Sequence, residues 1–199
     1  MEDGEVIHVD LESLDFIGDH PALDFINTVI WQRDRRIDRW RNDDDVARWL
    51  ARQGFLAHMH DCPKFAPGAL LESARRLREV IRILVTRRIE TQAVDVEPLN
   101  AFLARGRRFV ELVVSEAGLP ELFDRIEMSE PEQVLAPVAQ SAAQLLCMYD
   151  FSRVKKCENP LCTLCFVDGT EDQNRRWCSA EWCGRQSATS RRRPRHQRY

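Results

Sequence analysis

Apolar side chains recur at helical spacing along most of the first three quarters of this 199-residue chain. Ala22, Leu23, Ile26, Val29 and Ile30 follow Pro21, a residue suited to the first turn of a helix, and predict a buried helix over residues 21–31. Asn42 and the acidic residues after it supply an N-terminus for a second helix carrying Val46, Trp49 and Leu50, which Gly54 is placed to end. The strongest periodicity is Leu70, Leu71, Ala74, Leu77, Val80, Ile81, Leu84, Val85 and Ile89, one long amphipathic helix. A shorter helix around residues 99–104 runs into Gly106. Pro131 then opens a final helix bearing Val134, Leu135, Val138, Ala142, Leu145 and Leu146.

Two stretches break the helical period. Residues 108–114 are rich in β-branched and aromatic side chains and precede Gly118-Leu119-Pro120, and with a second candidate strand over residues 122–128 they predict a β-hairpin. Residues 6–9 are a candidate short strand in an acidic lead-in, and residues 33–41 read as a charged connector. The pattern as a whole predicts an α+β fold. A mostly helical N-terminal domain with a small hairpin spans residues 1–150, and a small C-terminal module spans residues 151–199.

Charge sharpens this division. The total is only −3, but residues 153–199 carry 11 basic and five acidic side chains, while the preceding residues carry 18 basic and 27 acidic. A basic end on an acidic body favours an anionic partner such as DNA. Nothing at the N-terminus has the form of a signal peptide, and no stretch is long and apolar enough to predict a membrane span, so a cytoplasmic location without membrane attachment is expected.

Five of the seven cysteines fall in the C-terminal module, as Cys157, Cys162, Cys165, Cys178 and Cys183. In a reducing compartment two close pairs joined by a loop point to a metal rather than to disulfides, and zinc suits four thiolates. Spacing permits two sets. Cys157, Cys162, Cys178 and Cys183 form a symmetric pattern, and Cys165 in place of Cys157 gives the shorter C-x2-C pair. The symmetric set is favoured, because Asn159-Pro160 makes a turn within its first pair and Cys165-Phe166-Val167 reads as a strand. Cys62 and Cys147 stand alone and read as core residues.

Ser179 can cap a helix that Pro194 would end at the latest. Arg185, Gln186, Arg191, Arg192, Arg193 and Arg195 would lie on it or just beyond, offering base-edge and phosphate contacts to DNA. At the other end of the chain, Asp24, Asn27 and Thr28 are polar residues on an otherwise apolar helix, with His20 close by. They either tie that helix to neighbouring loops or line a small effector pocket. No nucleophile motif or phosphate loop accompanies them, so an enzyme is not expected.

The residues Arg175-Arg176-Trp177-Cys178-Ser179 and Cys183-Gly184-Arg185 resemble the CGNR zinc-finger family of bacterial proteins. The segment beginning Gly18-Asp19-His20-Pro21-Ala22-Leu23-Asp24 and continuing through Asn27-Thr28 resembles the ABATE domain found in front of that finger. Together the two resemblances cover nearly the whole chain. They imply a stress-linked transcription regulator whose finger holds zinc on Cys157, Cys162, Cys178 and Cys183 and contacts DNA. The N-terminal domain in front of it is expected to sense a ligand or form a homodimer. Cys183-Gly184 is followed here by Arg185-Gln186 rather than Asn-Arg, so any contact made through that asparagine does not carry over.

Overall fold

The computed structural model describes residues 13–32 and 35–185. In chain order they form α1 (Pro21–Ile26), β1 (Val29–Gln32), β2 (Arg35–Asp38), α2 (Asp43–Arg52), α3 (Ala69–Ile89), α4 (Glu97–Leu103), β3 (Arg108–Val114), β4 (Pro120–Ile126), α5 (Pro131–Met148), β5 (Val154–Lys156) and β6 (Cys165–Val167), with a π-helical turn at Ala180–Gly184. The strands form three separate antiparallel hairpins, β1–β2, β3–β4 and β5–β6. The fold is thus α+β, helices with small hairpins and a cysteine cluster near the C-terminus. Among the described residues no helix is long and apolar enough to cross a membrane. The candidate strand at residues 6–9 lies outside the described residues.

Two compact units result, and they do not follow chain order. One contains the N-terminal segment to Asp38 together with the chain from Asp150 onward, and the other is the intervening Arg39–Tyr149.

The intervening unit is built on α3. Leu70, Ala74, Leu77, Ile81, Leu84 and Val85 repeat every three or four residues along it and are buried. They belong to the packing of α3 with α2, α4 and α5. The starts of α2 and α3 are joined by one carboxylate: Asp43 accepts from the backbone N–H groups of Gly68 and Leu71, both at 2.8 Å, satisfying donors that the first turn of α3 would otherwise leave open. Arg78, on the same helix, is buried with its guanidinium 4.9 Å from the centre of the Trp40 ring, and Trp40 meets Trp49 edge-on at 5.9 Å. Gln133 closes the N-terminus of α5 by accepting from the backbone of Ser129 and Glu130.

Several expectations change. The helix expected over residues 21–31 stops at Ile26, and β1 begins at Val29. The Thr28 hydroxyl donates to the Phe25 carbonyl at 2.7 Å, and the β-branched pair Val29-Ile30 then takes extended backbone. The charged connector contains β2, with Ile37 opposite Ile30. Cys147 is exposed and Cys62 only partly buried, so neither is a core residue. The last turn of α5 buries Leu145 and turns Cys147 outward.

Leu77 is fully buried and Ile83, on the same helix, is 53% exposed. Leu77→Ala should cost about 2–5 kcal/mol in chemical denaturation, while Ile83→Ala should stay within about 0.5 kcal/mol.

Candidate metal centre

The metal-centre unit begins with a turn that only close approach explains. A Cβ on Gly18 would stand 2.8 Å from the Leu23 Cβ and 3.0 Å from an Asp24 carboxylate oxygen, so glycine is required. That carboxylate accepts from the Gly18 N–H at 2.7 Å, and the Gly18 carbonyl accepts from the Val167 N–H at 2.9 Å. One helical turn later Asn27 forms a two-point clasp on the backbone of Cys165. Its Nδ2 donates to the Cys165 carbonyl at 2.8 Å, and its Oδ1 accepts from the Cys165 N–H at 3.0 Å. His20 caps α1 by accepting from the Ala22 N–H through Nδ1, at 3.1 Å, and burial lowers its pKa. All four polar residues singled out at this end of the chain, His20, Asp24, Asn27 and Thr28, thus make hydrogen bonds to backbone.

The clasp holds β6 against the segment that contains α1, and Cys157 and Cys162, the first half of the cysteine cluster, lie between β5 and β6. Lys156 lies opposite Cys165 in the β5–β6 hairpin, and the Cys157 N–H donates to the Leu164 carbonyl at 2.9 Å. Between these strands the Asn159 side chain accepts from the Leu161 N–H, and its carbonyl accepts from the Cys162 N–H at 2.8 Å. This is the tight turn that Asn159-Pro160 predicts. The second half sits at the π-helical turn. Ser179 caps it by accepting from the Trp182 N–H, and its carbonyl accepts from the N–H groups of both Cys183 and Gly184. Gly184 leaves room for Trp177, whose ring would lie 3.2 Å from an added Cβ.

The sulfurs of Cys157, Cys162, Cys178 and Cys183 lie within 4.8 Å of one another. A tetrahedron of thiolates about 2.3 Å from a zinc ion has edges of about 3.8 Å. The Cys162–Cys178 and Cys178–Cys183 separations are 3.8 and 3.5 Å, so the set fits that ion. The Cys178 N–H points at the Cys157 sulfur, 3.4 Å away, as a donor that favours a thiolate there. Sulfurs this close titrate together. Contacts from Cys162 and then Cys178 hold Cys157 far below the usual thiol range, and contacts with Cys157 and then Cys162 push Cys178 far above it. Cys165 lies outside the group, buried in β6 with its backbone in the Asn27 clasp. A small apolar cluster surrounds the sulfurs: Leu164 and Phe166 from the C-terminal part, and Ile17, Ile30 and Ile37 from the N-terminal segment.

Two further residues organise this centre and were not singled out in the sequence. Arg175 stacks its guanidinium 4.2 Å from the centre of the Phe166 ring. It donates to the carbonyls of Ile17, Val167, Trp177 and Cys178 and pairs with Asp19. Asp168 is fully buried. Burial works to raise its pKa, but hydrogen bonds from Lys155, Thr170 and the Arg175 N–H outweigh it and hold the carboxyl well below the usual range. The signal for Arg175 was its place two residues before Trp177 in the finger motif. Asp168 gave none beyond standing next to a predicted strand.

Of the DNA-contact candidates, Arg185 lies at the C-terminal end of the π-helical turn. Gln186, Arg191, Arg192, Arg193 and Arg195 lie outside the described residues, as does most of the expected basic helix.

Comparison with known families gives two matches. Residues 19–149 match ABATE, described as "Putative stress-induced transcription regulator". Residues 153–196 match the CGNR zinc finger. No curated protein matches the chain at a significant level.

Elemental analysis should find one zinc per chain, lost in Cys178→Ser and retained in Cys165→Ser. Asn27→Leu removes both arms of the clasp and strands a buried N–H and C=O, a cost of about 2–4 kcal/mol. It should lower the thermal midpoint and speed zinc transfer to a chelator, read by the absorbance of a metallochromic dye.

Proposed function

Since the chain belongs to the ABATE family and carries a CGNR zinc finger, we propose that it is a cytoplasmic, DNA-binding transcription regulator whose finger delivers a basic segment to the duplex. The observation that carries this reading is where the finger's positive charge goes. Within the described part of the finger four cations are engaged internally: Arg153 donates to the carbonyls of Asp168 and Thr170, Lys155 pairs with Asp168, Arg176 pairs with Glu158, and Arg175 has the partners given above. After Cys183 the chain carries six arginines from Arg185 to Arg198 with no acidic side chain among them. Zinc supplies fixed tetrahedral coordination, which sets the position of Cys183 and hence the point from which this basic segment leaves. Arginine suits the task, since its planar fork can hold phosphates or pair with guanine edges.

For the N-terminal domain, the hydrogen bonds of His20, Asp24, Asn27 and Thr28 support a tying role over an effector pocket. Two grooves in the intervening unit, about 350 and 400 Å³ in volume, lie at the root of the β3–β4 hairpin, and none of those four residues lines either. Of the two roles considered for this domain we favour dimerisation, because the four candidate pocket residues are committed to backbone hydrogen bonds.

About five phosphate contacts should make the logarithm of DNA affinity fall against the logarithm of salt with a slope of about −4.5. Replacing Arg191, Arg192 and Arg193 together should flatten the slope by about 3 in a fluorescence anisotropy titration. Absence of binding at low salt, or a slope unmoved by the triple replacement, would refute the proposal.

A further inference from the structure

The β3–β4 hairpin carries more exposed apolar surface than the rest of the intervening unit explains. Its strands pair with each other, and neither packs along a helix to any extent. Register places Val110, Leu112, Val114 and Leu122 on one face, each more than 60% exposed. The opposite face carries Phe109, Glu111, Glu121, Phe123 and Arg125. Arg125 is held there by Glu111 at 2.7 Å and lies 5.3 Å from the centre of the Phe123 ring. An isolated two-stranded hairpin is marginal in water, whereas a third and fourth strand make such a sheet stable.

The hydrogen-bond pattern shows which backbone groups are available for added strands. The Glu127 N–H donates to Arg107 and the Ser115 N–H to Leu119, both at 2.9 Å. Bonded pairs alternate with non-bonded pairs in an antiparallel ladder, so residues 121, 123 and 125 bond inward to β3. Leu122, Asp124 and Ile126 therefore direct their N–H and C=O groups to the outer edge of β4. Among the described residues no strand pairs with that edge.

The sequence of β4 is complementary to itself. When two copies run antiparallel with Phe123 opposite its own counterpart, all seven residues of the strand find partners. Leu122 and Asp124 then form the hydrogen-bonded pairs, and Glu121 of each copy stands opposite Arg125 of the other. Glu121 faces Val113 within its own hairpin and makes no ion pair among the described residues, while Arg125 is already oriented by Glu111. The comparable match on β3, Arg107 with Glu111 about Phe109, falls at the root of the hairpin, where α4 ends four residues before Arg107 and restricts the approach of a second strand. We propose that the outer edge of β4 is the homodimer interface, with two copies of the chain joined by antiparallel β4–β4 addition about a two-fold axis at Phe123 into one four-stranded sheet.

This inference supplies a surface for the dimerising role favoured above but stands on the hairpin alone. A chain that binds DNA as a monomer would overturn it and leave the DNA reading intact. A dimer that fails to bind DNA would do the reverse.

The test is sedimentation equilibrium on the full-length, zinc-loaded chain over a concentration series. The unaltered chain should dimerise. Glu121→Arg sets like charges opposite each other twice and should weaken the dimer about tenfold or more, as should Arg125→Glu. An equimolar mixture of these two variants should regain the dimer, because each then presents the complement of the other. Leu112→Ser, on the apolar face away from the edge contact, should leave the dissociation constant within about twofold. Circular dichroism and zinc content certify the fold of each variant. Glu121→Arg disturbs no ion pair within the hairpin and carries the test even where Arg125→Glu perturbs it. A monomer at every concentration, or a dimer indifferent to Glu121→Arg and abolished by Leu112→Ser, would overturn the proposal.

Discussion

Four thiolates gathered around one ion constrain the chain more tightly than any apolar contact that β5, β6 and the π-helical turn could offer by themselves. Those elements have three, three and five residues, too few to enclose a core, and their fold follows from the requirement that Cys157, Cys162, Cys178 and Cys183 converge. The convergence is assisted from both sides. Asn159 and Ser179 shape the two turns that present the sulfurs, while Arg175 threads between them and closes on four carbonyl groups. The metal site is therefore the end product of hydrogen bonds whose donors and acceptors lie up to 158 residues apart in sequence.

Electrostatics follows from the same geometry. A zinc ion with four thiolates carries a formal charge of about minus 2, so the filled site offsets part of the positive excess of residues 153–199. Within residues 153–184 five basic and five acidic side chains cancel, with Lys155 paired to Asp168 and Arg176 to Glu158. What the whole-segment charge suggested as a basic domain is thus a compact centre close to neutral, followed by a short arginine track. Attraction to an anionic partner would be confined to that track and strongly dependent on salt.

The features legible in the sequence were those set by local rules. The 3.6-residue period of α3 and the turn chemistry around the β3–β4 hairpin needed no knowledge of distant contacts. Spacing left Cys157 and Cys165 both open, and the signals that favoured Cys157, the Asn159 turn and the β6 strand, are likewise local. What escaped depends on partners far along the chain. The polar character of Asp24 and Asn27 was visible, but no local rule shows that Asn27 holds the backbone of a residue 138 positions away. The early end of α1 belongs with that clasp, since helical periodicity alone would carry the segment on to residue 31. Cys147 misled for the opposite reason: it sits within an apolar run, but on the turn of α5 that faces outward.

The discontinuous make-up of the metal-centre unit has a consequence for biosynthesis. Asn27 leaves the ribosome 138 residues ahead of Cys165, an interval of about 7–30 s at ordinary elongation rates. During that time Ile17, Ile30 and Ile37 lack the sulfur-lined cluster they pack against, while the whole intervening unit Arg39–Tyr149 has time to fold. A nascent or truncated chain thus displays unsatisfied polar groups and apolar side chains near its N-terminus until its last cysteine emerges. The segment around Asn27 and the cysteine segment thereby report on each other's completion, and metal capture by all four thiolates must wait for Cys183.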